Sequence, residues 1–177
     1  MSGTGPRPGG PLIRRLEGRA EAEACARLMA GSEPWITLGR DEAASLALLE
    51  HPDREVYVAL EAGSLVGVLV LSLRGALTGY LQSVCVAPAA RGRGVGTALV
   101  RFAEARIFRE SPSVLLCVSS FNPGARRLYE RLGYRFVGEL PDYIVRGHSE
   151  LLYRKTVGPI AEFRAAAGAP APKGEGS

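Results

Sequence analysis

The run Val84-Cys85-Val86-Ala87-Pro88-Ala89-Ala90-Arg91-Gly92-Arg93-Gly94-Val95-Gly96-Thr97 carries the residues best placed to do chemistry. An apolar strand pattern stops at Pro88, a loop of glycine and arginine follows, and an amphipathic helical pattern begins at Val95. The first N–H groups of a helix lack internal partners and sit at the positive end of its dipole, so they attract anions. Glycines let a phosphate approach the backbone and permit positive φ. Arg91 and Arg93 add charge, as do Arg101, Arg106 and Arg109 further along. The segment therefore predicts an anion site over Arg91, Gly92, Arg93, Gly94, Val95, Gly96 and Thr97. A P-loop would need a lysine before its Ser/Thr, whereas Thr97 directly follows Gly96. A dinucleotide fingerprint would need glycine at position 97 and an earlier place in a βαβ unit. A loop that only turns the chain is the competing reading.

Other reactive side chains carry less. Cys25, Cys85 and Cys117 are odd in number and form no CxxC pair, which predicts reduced thiols in the cytoplasm. Cys85 could be a covalent nucleophile, but with no histidine near it in sequence it reads as a small core residue. His51 and His148 stand alone without metal-ligand spacing, so no metal is expected.

The elements that must position these residues alternate. A strand over Leu12 to Leu16 leads to helices over Arg19 to Met29 and Asp41 to Glu50, the latter capped by Asp41. Strands follow over Glu55 to Glu61 and Leu65 to Leu73, joined across Ala62-Gly63-Ser64 as a hairpin. A strand over Tyr80 to Ala87 precedes a helix whose Val95, Ala98, Leu99, Phe102 and Ala103 form one apolar stripe. The apolar run Val114 to Val118 reads as a central strand. Asn122-Pro123 opens a helix with a capping residue and a proline at its first position. That helix buries Ala125, Leu128, Tyr129 and Leu132 and stops at Gly133. Strands over Tyr134 to Leu140 and Ser149 to Thr156 close an α/β (α+β) domain with a mixed sheet and helices on its faces.

Two motifs in this order resemble the GCN5-related N-acetyltransferase (GNAT) superfamily. Arg91-x-x-Gly94-x-Gly96 matches the Q/R-x-x-G-x-G/A signature, after a strand ending Val86-Ala87-Pro88. Asn122, Ala125, Tyr129, Gly133 and Tyr134 match the N-x-x-A-x-x-x-Y-x-x-x-G-F/Y segment downstream. The resemblance covers 12–157. It implies a mostly antiparallel sheet whose central strands splay to admit acetyl-coenzyme A (acetyl-CoA). The strand backbone at Val84, Cys85 and Val86 would then pair with the pantetheine arm, and the amides from Arg91 to Thr97 would hold the pyrophosphate. Asn122 would help fix the pantetheine, and Tyr129 would place its hydroxyl near the thioester sulfur. The Val86 N–H would face the thioester oxygen. Helical spacing alone favours reading Tyr129 as a core aromatic.

The implied reaction is direct transfer of acetyl to a primary amine, of a small molecule or a peptide. No base is evident. Relatives that acetylate ribosomal-protein N-termini carry glutamate where this chain has Cys117, and Gln82 and Ser83 are not bases either. Glu33, Asp41, Glu139, Asp142 and His148 border the acceptor side in similar proteins. Trp35 lies where the family builds its acceptor pocket and reads either as pocket lining or as packing under the loop. A non-catalytic acyl-CoA sensor and a protein N-terminal acetyltransferase are the alternatives.

Composition bounds these readings. The 177 residues are 46% hydrophobic and 23% charged, enough for one domain with a core. The tails, 1–11 and 158–177, are rich in glycine, proline and alanine and are expected to be disordered. The N-terminus has no signal-peptide core, and no apolar run reaches membrane length. A net charge of +4 suits an anionic ligand but, with no nucleic-acid motif, does not imply nucleic acid. A monomer or a homodimer is expected.

Overall fold

The computed structural model describes residues 9–75 and 77–163. The expected tails therefore lie largely outside the described residues. The elements run in the predicted order: β1 (Leu12–Arg15), α1 (Gly18–Ala30), α2 (Glu42–Leu49), β2 (Arg54–Glu61), β3 (Ser64–Ser72), β4 (Tyr80–Val86), α3 (Val95–Ile107), β5 (Ser113–Ser119), α4 (Pro123–Arg131), β6 (Arg135–Pro141) and β7 (Ser149–Thr156). Short 3-10 turns at Pro88–Ala90 and Ile160–Glu162 complete them.

One sheet holds all the strands in the order β1-β2-β3-β4-β5-β7-β6. Every neighbouring pair is antiparallel except β4 and β5, which run parallel. The continuous apolar runs of β2 and β3 follow from burial on both faces. Val56, Val58, Val68 and Val70 point to one side and pack with Cys25, Ala26 and Met29 of α1 and Leu49 of α2. The alternating Tyr57, Ala59, Leu69 and Leu71 point to the other, against Val95, Leu99, Ala103 and Ile107 of α3. In the stripe read on α3, Ala98 and Phe102 are only half-buried, while Val100 and Ile107 are fully covered. The hairpin between β2 and β3 turns through Ala62 at φ 48° and Gly63 at φ 79°. Two positive φ values in succession match the twist of the flanking strands.

The feature that makes the site is the junction of β4 and β5. Their register holds only at Tyr80 opposite Leu115, continued by the Leu115 N–H donating to the Gly79 carbonyl at 3.0 Å. Gly79 has φ 87°, and a side chain there would collide with the Ser113 carbonyl, so only glycine permits this approach. Beyond Tyr80 the strands diverge. On its other edge β4 pairs Leu71 with Leu81 and Val70 with Ser83, which leaves Gln82 unopposed as a β-bulge. A bulge bends its strand and increases the local twist, here within the stretch that leaves β5. Thus β5 is central, as expected, but it is not sealed on both faces, because Cys117 opens on the gap.

Candidate active site

The glycine-arginine loop ends at α3 with Gly94 as N-cap in the left-handed region at φ 88°, after Gly92 at φ 73°. The N–H groups of Arg93, Gly94, Val95, Gly96 and Thr97 have no acceptor among the described residues. Space beside the Cα atoms of Gly92 and Gly94 is clear within 4 Å. A phosphate fits that cradle of free donors. The arginines divide. Arg93 is engaged by Glu61 at 2.7 Å, Arg101 by Glu104 at 3.2 Å, and Arg106 by Glu55 at 2.7 Å. Arg91 donates from Nε to the Val86 carbonyl at 3.2 Å. Arg93 therefore offers its amide, its side chain being committed elsewhere.

A cavity of about 620 Å³ opens where β4 leaves β5. Val84, Asn122, Ala125 and Tyr129 line it together with Trp35, Tyr80, Gln82, Tyr143 and Glu150. The Ala87 N–H donates to the Val66 carbonyl of β3 at 2.9 Å. Backbone groups alternate sides along a strand, so those of Cys85 face β3 while those of Val84 and Val86 face the gap. The strand thus presents the Val84 groups and the Val86 N–H along an open edge, while the Val86 carbonyl accepts from Arg91.

Asn122 caps α4, its Oδ1 accepting from the Ala125 N–H at 3.1 Å. Tyr129, on the inner face of α4, is 7% exposed and stacks edge-on against Tyr134 with ring centroids 5.5 Å apart. Its hydroxyl makes no hydrogen bond among the described residues, and the residue opens on the cavity. Burial raises its phenol well above the ordinary tyrosine value. Trp35 does both things its position allowed: it is buried in the α1–α2 core and it lines the cavity.

Cys85 points away from this site. It is 2% exposed within the cluster under α1, and burial pushes its thiol up to about 11. Cys117 does line the cavity, with a thiol raised by burial. No group of three or more His, Cys, Asp or Glu side chains able to hold a metal occurs among the described residues.

None of the five side chains considered as a base lines the cavity. Glu33 accepts from the Thr37 hydroxyl, Asp41 caps α2, and Asp142 accepts from the Gly147 N–H. Glu139 is exposed, and His148 packs edge-on against Phe121. The carboxylate inside the cavity is Glu150, which sequence reasoning passed over. It lies on β7 opposite Ser119 of β5, is 4% exposed, and accepts from the Ser119 hydroxyl at 2.6 Å. Burial raises its carboxyl, against smaller opposing effects of Ser119 and Arg40. Only the β5–β7 register brings it there, and no local pattern signals that register.

A mixed sheet splayed at its centre, a free strand edge in the splay and a phosphate cradle at the next helix define an acyl-CoA-dependent acyltransferase. Residues 22–134 match the model of the Acetyltransferase (GNAT) family. The chain belongs to that family, uses acetyl-CoA and is an N-acetyltransferase. It is 33% identical over 127 residues to the N-alpha-acetyltransferase RimI of Mycobacterium tuberculosis, covering 68% of this chain and 76% of that protein. It is 32% identical over 111 residues to the blasticidin-S acetyltransferase of Streptomyces morookaense, covering 61% and 81%. An aminoglycoside 6'-N-acetyltransferase complexed with coenzyme A superposes with TM-score 0.69 at 19% identity, over 84% of this chain and 98% of that one. At that identity the likeness concerns the fold.

Proposed function

We propose that the chain acetylates a primary amine by direct transfer, both substrates being bound together. The observation that carries this reading is one continuous cavity, with the free edge of β4, the Tyr129 hydroxyl and the Glu150 carboxylate all on its wall. When bound, acetyl-CoA supplies an activated acetyl thioester. The amides of Arg93 to Thr97 hold its diphosphate, and the edge at Val84 and Val86 pairs with the pantetheine. Asn122 helps to fix that arm, with Oδ1 already used as a cap. The Val86 N–H would be the donor to the thioester oxygen, where charge develops. Glu150 takes the proton that the ammonium must shed before nitrogen can attack, and its raised carboxyl is a stronger base than an exposed one. As the C–N bond forms and the C–S bond breaks, Tyr129 donates a proton to the leaving sulfur. A phenol near pKa ~10 or above stays protonated at neutral pH and can serve a thiol of ~8.5. A carboxylate and a phenol on the same wall favour an enzyme over a sensor.

Initial rates should give intersecting double-reciprocal lines for acetyl-CoA and amine. Cys85→Ala and Cys117→Ala should each retain most activity. Parallel lines together with an acetylated cysteine whose substitution abolishes turnover would show a covalent route instead.

A further inference from the structure

We propose that the acceptor is a small primary amine that also bears a carboxylate or phosphate, which Arg40, Arg54 and Arg74 bind. The proposal rests on the acyl-transfer reading above and names its substrate class. All three arginines line the cavity, and Glu150 is the single acidic residue among its described lining. Elsewhere ion pairing is common: Arg14, Arg106 and Lys155 hold carboxylates at 2.7, 2.7 and 2.8 Å. The three cavity arginines have no carboxylate within 4.0 Å among the described residues.

Arg54 is the most telling of them. Its Nη1 donates to the Ser72 hydroxyl at 2.9 Å, while its Nε is sealed from solvent without an acceptor. A buried donor left unmade is costly, a cost that a shift of the Arg54 side chain towards a ligand oxygen in the cavity would remove. Guanidinium groups suit carboxylate and phosphate because their paired N–H groups can bind two oxygens at once.

Arg54 and Arg74, which flank Ser72, cannot serve the diphosphate of the cofactor. Arg54 pairs with Ser72, and Ser72 with Tyr80 at the start of β4. The free amides of α3 lie past the opposite end of that strand, whose rise of ~3.3 Å per residue separates the two by roughly 20 Å. The arginine end of the cavity is therefore separate from the cradle at α3, none of whose residues is among the cavity's described lining. On the acceptor side the ammonium meets Glu150 and the Gln82 Oε1, which is buried and has no partner. Its anion meets the guanidinium groups. A polyamine or an aminoglycoside would instead set several positive charges against three arginines.

The test measures binding by calorimetry, using the full chain first titrated with coenzyme A. Two matched pairs, γ-aminobutyrate with γ-aminobutyramide and phosphoethanolamine with ethanolamine, separate carboxylate from phosphate, and spermidine serves as the polycation. The anionic member of at least one pair should bind about tenfold or more tighter than its neutral mate, a gap of ~1.4 kcal/mol. Arg74→Gln and Arg54→Gln should each reduce that ratio towards one. Arg74 is exposed, so its substitution keeps the test open if Arg54→Gln does not fold. Equal binding within both pairs, or tighter binding of spermidine, would overturn the proposal even if coenzyme A binds. Failure of coenzyme A to bind while the anionic preference stands would overturn only the acyl-transfer reading.

Discussion

Tyr129 holds its proton at neutral pH, as an ordinary tyrosine of pKa ~10 does, and burial raises its phenol further. Its ring contributes to the core beside Tyr134, while its hydroxyl makes no hydrogen bond among the described residues. Tyr129→Phe therefore removes a proton donor and leaves no buried partner unsatisfied. Melting temperature and acetyl-CoA affinity should stay close to those of the parent. General-acid help is typically worth 10²–10⁴ in rate, so kcat should fall by about tenfold or more once chemistry limits turnover. Stopped-flow thiol release would measure it. A Phe variant of full activity would leave Tyr129 with core packing alone. Cys85 is the opposite case. A reactive residue type sits on the right strand, but strand alternation turns it to the wrong face.

The loop into α3 is an element-scale device, since no single side chain does its work. The donors are main-chain amides, and their exposure depends on Gly92 and Gly94 holding positive φ. A ligand that binds only the folded state stabilises it by RT ln(1 + [L]/Kd), ~2.7 kcal/mol at a hundredfold excess over Kd. At ~2–4 °C per kcal/mol for a chain of this size, acetyl-CoA should raise the melting temperature by several degrees. Gly94→Glu should abolish that rise, measured against the variant's own unliganded melting temperature, because a charged side chain then faces the phosphates. An undiminished rise would move the phosphate site elsewhere. The turn and helix start of this loop and the Asn122 cap of α4 were legible in the sequence, because Arg91 to Thr97 and Asn122 to Tyr134 are each contiguous and carry their own turn and cap chemistry. Glu150 was not. Ser149-Glu150-Leu151 reads as an ordinary strand start, and its value comes from facing Ser119 across the sheet. Arg40, Arg54 and Arg74 were equally silent, since only the fold of the sheet gathers three separate segments around one cavity. Nor does local pattern show that Glu61 engages Arg93.

For the molecule as a whole, the proposed base Glu150 is a cost to stability when ionised. A carboxyl raised by burial binds a proton more readily in the folded chain than in the unfolded one. Its contribution to stability is therefore fully present below the unfolded value of ~4.3 and is lost as pH rises through the folded value. At neutral pH the ionised group in the cavity is a cost to the fold, reduced by the Ser119 hydroxyl and by Arg40. Tyr80 and Cys117 also neighbour it, and both are protonated at neutral pH, burial raising each further. Glu150→Gln keeps the shape and an oxygen for the Ser119 hydroxyl, but removes the charge. The variant should lose about 10²-fold or more in kcat, the range expected for a missing base. It should also melt a few degrees higher at pH 7.5, since ~1 kcal/mol corresponds to ~2–4 °C. Below pH ~4.3 the parent carboxyl is protonated too, and the two melting temperatures should converge. Melting curves from pH 4 to pH 8, paired with kcat at pH 7.5, test both halves. A Gln variant that is less stable at neutral pH would make Glu150 a structural partner of Ser119 and Arg40. One that is more stable yet fully active would return the search for the base to solvent.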